Sequence, residues 1–320
     1  MPRCSLRNLT ALGGLAALLL SAPVALSPWL ARTHWVGDLL ANLVAQALCG
    51  LLLALLLLAA VRRLRAAALA AAFAAVAASH VLPTWWCATP AATTSPPALR
   101  LLTLNLLREN DDYAAALAAI HDAAPDVIFC SEVTPAWLTQ LEAALAGGYP
   151  HRVHRADPGW FGVALYSRLP LEAATVLPLA FEWAPAIRAT VRAPGGPVGV
   201  LGVHTPRPGN ARRNHERDLA LAAIPAALSP LPRHHVVLGD FNASPWTPAM
   251  VDLLAATGLR RISASPLGTT WPAKLPAPLR IAIDHVLASA NLFATTITIG
   301  QGFGSDHLPL AAHVGIGPGS

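Results

Sequence analysis

The sequence predicts an α/β domain carried behind a set of apolar helices, and three observations lead there. Charged residues make up 12% of the 320-residue chain and hydrophobic residues 54%, whereas a soluble domain carries about 25% charge. The deficit is concentrated in residues 9–31, 39–60 and 66–83, which hold almost no charge. From Leu99 onward the pattern changes to short apolar runs bounded by turn residues and alternating with helical stretches. Polar residues then stand at or just past the ends of those runs, where an α/β scaffold presents chemistry.

The apolar segments come first. Leu9–Ala31, Leu39–Ala60 and Ala66–Pro83 are the candidate spans. A helix needs roughly 20 apolar residues to cross a bilayer, so the middle segment, with its LLLALLLLAA run, is the strongest and the Ala-rich third the weakest. Arg3 and Arg7 precede the first span, and Arg62, Arg63 and Arg65 separate the second from the third. The positive-inside rule places the N-terminus and that second loop in the cytoplasm. Three crossings put the rest of the chain outside; two would leave it in the cytoplasm. A cleaved signal peptide over residues 1–23 is a rival reading that the two later apolar segments disfavour. Residues 1–87 are thus the expected transmembrane region, and residues 88–98 (ATPAATTSPPA) an extended tether.

The expected domain covers residues 99–320. Its strands are read at LRLLTLNL, PDVIFCSEV, GVALYS, AIRATVRA, VGVLGVHT, HHVVLGDFN, IDHVLAS and Leu308–Val314. Helices are read at Tyr113–Ala123, Trp137–Leu145, Asn214 to about Leu228, and around Pro248–Ala256. The domain has 16 basic and 16 acidic residues; the first 97 residues hold six arginines and a single acid, Asp38. The net charge of +5 therefore belongs to the membrane region and does not indicate a nucleic-acid-binding face. Cys130 sits in an apolar strand and reads as a small core residue, with a Cys87–Cys130 pair the alternative outside the cytoplasm.

Glu132 ends a buried strand in a carboxylate. In LGDFNASP, Asp240 and Asn242 lie two residues apart and project from the same side of an extended chain. In GSDHLPL, Asp306 stands beside His307 ahead of a short strand. Phosphoester hydrolysis needs such a set. A hard cation takes carboxylate oxygens, which makes Glu132 the natural ligand for Mg2+. His307 oriented by Asp284 can activate water, Asp240 and Asn242 can position it, and His204 can meet the leaving group or the phosphoryl. No cysteine cluster or His-x-x-x-His pair suggests zinc, and no Walker-type loop is present. His285 should point away from Asp284 across its strand. Trp160, Phe161 and Trp246 are candidates for a groove lining or for packing.

The ordered series LTLNL, SEV, GVHT, GDFN, IDHVLAS and GSDHLPL resembles the endonuclease/exonuclease/phosphatase family, the DNase I-like superfamily, over about 220 residues. The resemblance implies a four-layer α/β sandwich with two packed sheets and helices outside. It implies a metal site at Asn105 and Glu132 with Asp306 beside it, holding Mg2+ or alternatively Mn2+. It further implies water and phosphate positioning by Asp240 and Asn242, an Asp284–His307 acid–base dyad, a histidine at His204, and a phosphate-facing Arg188. One departure is Leu107, where several family nucleases carry an acidic metal ligand.

The layout also resembles bacterial membrane proteins of this superfamily linked to glycopeptide-antibiotic resistance. It implies a multi-pass protein of the bacterial cell membrane with its catalytic domain outside the cytoplasm. Membrane tethering, a neutral domain and short insertions between strands favour a membrane-borne phosphate or pyrophosphate, such as a lipid headgroup or lipid carrier. A nuclease on extracytoplasmic DNA or RNA is the alternative reading, and a non-catalytic binding protein on the same fold a third.

Overall fold

A computed structural model describes residues 6–86, 99–263 and 268–316. Helix α1 (Leu6–Leu30) runs the length of an apolar bundle, and a sharp reversal leads into the short helix α2 (Trp35–Ala41). The reversal requires glycine at position 37, where a Cβ would stand 2.6 Å from the Ala31 backbone nitrogen. Helix α3 (Val44–Ala60) then turns back at 67° to α2, and α4 (Leu64–Trp86) completes the bundle. Leu6–Leu30 and Leu64–Thr84 are each long and apolar enough to cross a membrane, and a third crossing exists if the bent α2–α3 pair is one span.

The Leu39–Ala60 segment, expected from hydropathy to be the strongest span, is the one that contains the break. The Asn42 side chain donates to the Asp38 and Leu39 carbonyls, and α2 ends at Ala41, near the start of the predicted span. The remaining 17 helical residues of α3 measure about 25 Å, short of the roughly 30 Å hydrocarbon core.

The domain is a two-sheet sandwich. One sheet has the order β11-β12-β1-β2-β4-β3, from β1 (Leu99–Asn105), β2 (Val127–Ser131), β3 (His151–Arg155), β4 (Val163–Ser167), β11 (Leu292–Ile299) and β12 (Leu310–Ile316). The other has the order β5-β6-β7-β8-β10-β9, from β5 (Leu171–Phe181), β6 (Ala184–Ala193), β7 (Gly196–His204), β8 (His235–Asp240), β9 (Arg260–Ile262) and β10 (Asp284–Ala288). The inner faces bury Leu101, Phe129, Ile187, Val200, Leu238 and Val286 against one another. Outside the first sheet lie α5 (Tyr113–Ala123) and α6 (Pro135–Leu145); outside the second lie α7 (Ala211–Leu228) and α8 (Pro248–Thr257). This is the four-layer DNase I-like sandwich.

Helix starts follow local chemistry. Asp112, Thr134 and Asn210 accept hydrogen bonds from the first turns of α5, α6 and α7, and Pro135 and Pro248 open α6 and α8. Cys130 is buried and free in β2, and its predicted alternative partner, Cys87, lies outside the described residues.

Topology gathers the strand ends. Parallel pairing puts Asn105 beside Ser131 and His204 beside Asp240, and antiparallel pairing puts Asp284 opposite Asp240. The C-terminal ends of β1, β2, β7 and β8 and the start of β10 therefore share one rim.

Candidate active site

Most of the polar residues singled out in the sequence converge on this rim. Asn105 is the brace between the sheets: its amide donates to Glu132 Oε1 at 3.0 Å and to Asp240 Oδ2 at 3.1 Å. Glu132 Oε2 also accepts the Arg108 backbone N–H at 3.0 Å. Glu132 and Asn242 are held at positive φ, 59° and 47°, which non-glycine residues adopt only where surrounding contacts enforce it. Gly239, at φ 136°, lets β8 approach β7, since a Cβ there would stand 1.9 Å from the Val203 carbonyl oxygen.

The motif around β8 is internally wired. The Asn242 backbone N–H donates to Asp240 Oδ1 at 2.8 Å, and its side-chain amide donates to the Thr205 carbonyl at 2.9 Å. His307 Nδ1 lies 2.9 Å from Asp284 Oδ2, an oxygen that also accepts from Thr270 Oγ1 at 2.5 Å. His307 Nε2 is thereby left facing Asp240 Oδ2 at 3.7 Å and Asp306 Oδ1 at 3.9 Å. His204 Nε2 faces the same Asp240 oxygen at 3.7 Å, with the Phe161 ring beside it.

Burial shapes the titration of this cluster. It pushes the Asp240 carboxyl up, against the pull of His307. It lowers the His204 imidazole despite Asp240, so that His204 is neutral at physiological pH. Burial opposes charge on His307 too, but the Asp284, Asp240 and Asp306 carboxylates outweigh it and raise the imidazole. Glu132 is raised chiefly by burial, with Asp306 adding like-charge repulsion.

These groups open into a cavity of about 830 Å3. Glu132, His204, Asp240, Asn242, Asp306 and His307 line it together with the aromatic side chains of Trp160, Phe161, Trp183 and Trp271. Arg207, Arg212 and Arg213 also line it, as do Leu39, Asn42 and Leu43 from the α2–α3 break of the helix bundle.

Arg188 does not join the site. It lies on β6, where Ile187 and Val191 face the inter-sheet core, so alternation turns Arg188 to the outer face. There its guanidinium donates to the Ala227 carbonyl of α7 at 3.3 Å. Of the aromatic candidates, Trp160 and Phe161 line the cavity while Trp246 packs among the helices of the N-terminal bundle. His285 points away from the rim as expected. Its Nδ1 accepts from Arg261 and its Nε2 donates to the Ala243 carbonyl.

Sequence reasoning missed Thr270 and Trp271, whose indole N–H holds Asp306 Oδ2 at 2.9 Å. Both lie in an aperiodic stretch without an apolar pattern to mark it. It also missed the α2 side chains, although Asp38, the lone acid of an apolar region, was a signal: an isolated charge among membrane segments marks a partner or a function.

Residues 102–307 match the model of the Endonuclease/Exonuclease/phosphatase family. The chain belongs to that family. The match spans well over half its length and every rim residue from Asn105 to His307, and membership makes the chain a hydrolase of phosphate ester bonds, in a family whose enzymes generally depend on a divalent metal. Solved structures share the fold. An endonuclease/exonuclease/phosphatase from Beutenbergia cavernae is 22% identical, with 68% of this chain and 72% of that one covered at a TM-score of 0.54. D. rerio TDP2 complexed with single-strand DNA product is 17% identical over 68% and 98% of the two chains, with a TM-score of 0.55. Sphingomyelinase C from Streptomyces griseocarneus is 18% identical over 68% and 99%, with a TM-score of 0.51. No curated protein sequence matches the chain.

The donor set fits a hard divalent cation. Among the described residues the tightest acidic cluster is Asp240, Asp284 and His307, with ligand atoms within 4.8 Å of one another. In it, however, Asp284 and His307 are already bonded to each other. Glu132 and Asp306 instead bring two mutually repelling carboxylates to the cavity, and a cation would relieve the charge that burial penalises.

Proposed function

We propose that this family member is a membrane-anchored, Mg2+-dependent phosphoesterase acting on a lipid-linked phosphate ester or pyrophosphate. The observation that carries this reading is the cavity wall. The hydrolytic groups open against Leu39, Asn42 and Leu43, at the end of the helix bundle that meets the domain. A substrate whose phosphate sits beside its own apolar chain fits such a site, and the balanced charge of the domain does not favour a duplex.

In this reading Glu132 and Asp306, braced by Asn105 and Trp271, hold Mg2+ (Mn2+ being the nearest substitute), which when bound neutralises charge on the phosphoryl oxygens. Asp240 and His307 bracket the attacking water and take its proton. Asp284 fixes the His307 ring with Nδ1 inward and Nε2 toward the reaction. The Asn242 region and neutral His204 meet the phosphoryl oxygens and leaving group. Arg207, Arg212 and Arg213 draw an anion to the cavity. In this reading three crossings with the N-terminus inside, as the positive-inside rule favours for Arg3, Arg7, Arg62, Arg63 and Arg65, leave the domain on the outer side of the membrane.

The test is a screen of the full-length protein in lipid vesicles with Mg2+. Its substrates are polyprenyl pyrophosphate, sphingomyelin, and single- and double-stranded DNA and RNA, each beside a Glu132→Gln control. Release of phosphate or headgroup from a lipid substrate, lost in Glu132→Gln, is the expected result. Cleavage of nucleic acid alone would replace the reading with a nuclease, the reaction class suggested by the DNA product in the zebrafish relative's structure. Equal activity in parent and Glu132→Gln would remove the metal assignment.

A further inference from the structure

The loop that follows β8, residues 241–247, carries Asn242, and the membrane region grips it at three places. Arg217 of α7 donates from Nη1 to the Asn242 carbonyl at 3.1 Å, and its Nη2 lies 2.8 Å from Asp38 Oδ2 of α2. Arg217 is completely buried and Asp38 is 2% exposed, so this is an interior ion pair between a helix of the membrane region and the domain. Two residues along, the Ser244 backbone N–H donates to Asn42 Oδ1 at 2.8 Å. Trp246 then inserts among α1, α3 and α4, its indole 3.4 Å from Thr84 Oγ1.

Asn242 itself sits at φ 47°, a conformation that persists only where its surroundings over-determine it. Inside the domain Asp240 and Thr205 supply part of that constraint. Thr205 Oγ1 and the Ile283 carbonyl also hold Phe241 just before it, and from the helix bundle Asp38, through Arg217, and Asn42 hold the loop on its other side. We propose that Asp38, acting through Arg217, and Asn42 are positioning residues that set the Asn242 loop in its hydrolytic conformation, so that the site is complete only when the helix bundle is assembled on the domain. The inference rests on the hydrolytic role given to Asn242 above. A displacement of about 1 Å at a positioned group is enough to lower turnover by about a hundredfold, and a loop held by two elements moves when one lets go.

The test uses the full chain in detergent micelles and the paired variant Asp38→Leu/Arg217→Met. Replacing a buried ion pair by apolar side chains is often neutral for the fold, yet it removes the donor to the Asn242 carbonyl. With bis(p-nitrophenyl) phosphate and Mg2+, kcat is expected to fall at least tenfold while KM and the melting temperature stay near parental. Hydrogen exchange at residues 241–247 is expected to quicken, a readout that needs no turnover. Parental kcat with unchanged exchange would overturn the proposal, as would a loss confined to KM. Should the paired variant fail to fold, Asp38→Asn keeps the volume and is expected to lose several-fold in kcat; a parental value there overturns it equally. Glu132→Gln separates the two readings. If Glu132→Gln is inactive and Asp38→Leu/Arg217→Met fully active, only the positioning role falls; if Glu132→Gln is active, the hydrolytic assignment falls with it.

Discussion

Removing either half of the Asp284–His307 pair should expose how the site handles its proton. The two side chains meet at 2.9 Å, His307 is 5% and Asp284 3% exposed, and Thr270 holds the shared oxygen from its other side. His307→Ala deletes the positioned base, and such a base contributes about 100- to 10,000-fold. Asp284→Asn keeps the ring in place but removes the nearest negative charge. Asp240 at 3.7 Å and Asp306 at 3.9 Å remain, so the expected loss is smaller, on the order of tenfold or more. The double variant should be no worse than His307→Ala, because an orienting acid is worthless without the ring it orients. The pH profile carries a sign as well. Carboxylates raise the His307 imidazole, and a base must be unprotonated. Activity should therefore climb with pH through a range above the ordinary histidine value, and Asp284→Asn should shift that rise toward acid while lowering the plateau. The assay is kcat and kcat/KM against pH for parent and variants in saturating Mg2+. Losses that simply multiply would make the residues independent. A rate that falls with rising pH across that range would make His307 a proton donor.

Two further outcomes follow from groups outside the reaction. The His285 imidazole is pushed down to about 3, chiefly by burial and then by Arg261, so the fold keeps it neutral while the unfolded chain binds a proton below about 6.5. Stability due to His285 is therefore complete above that value and declines as pH falls toward 3, by up to about 1.4 kcal/mol per pH unit. Denaturant melts of parent and His285→Gln between pH 7 and 4 should show the shallower slope in the variant, and parallel slopes would sink this account. For topology, a C-terminal alkaline-phosphatase fusion should be active and a C-terminal fluorescent-protein fusion dark. The reverse pattern would leave two crossings and a cytoplasmic domain.

The strands that the sequence reveals are the ones with neighbours on both sides. β1, β2, β4, β6, β7, β8, β10 and β12 all have apolar runs long enough to read. The strands that escape notice are β3, β5, β9 and β11, the four sheet edges. An edge strand is solvated along one side, so charge and proline are tolerated and the period weakens: β3 reads HRVHR, and β5 contains Pro178. The site was legible for the same reason as the central strands, because Glu132, His204, Asp240 and His307 each abut an apolar run. Arg188 misled because family likeness outweighed parity; Ile187 and Val191 on the inner face already assign it to the outer one. The break at Asn42 was invisible to hydropathy. A single polar side chain bonding back to Asp38 and Leu39 changes no average over twenty residues.

What orients the domain on its helices can be decided by magnitude. Arg32 pairs with Asp252 at 3.0 Å, but both side chains are more than half exposed, and such pairs contribute little. Gln46 adds a hydrogen bond of 2.7 Å to the Arg280 carbonyl, worth about 1 kcal/mol net. The Asp38–Arg217 contact is different in kind. With both partners interior, losing Arg217 leaves the Asp38 charge uncompensated at about 3–5 kcal/mol, whereas losing Asp38 leaves Arg217 its second partner, Asp218, at 2.7 Å. Trp246 adds a large apolar side chain to the same joint. The strongest ties between bundle and domain therefore end on the loop that carries Asn242 and not on the distant surface of α8. At the opposite end of the bundle, Arg7 reaches the Val61 carbonyl at 3.2 Å, beside the arginines of the α3–α4 turn. The α3–α4 turn with its arginines and the α2–α3 break that borders the cavity thus lie at opposite ends of α3.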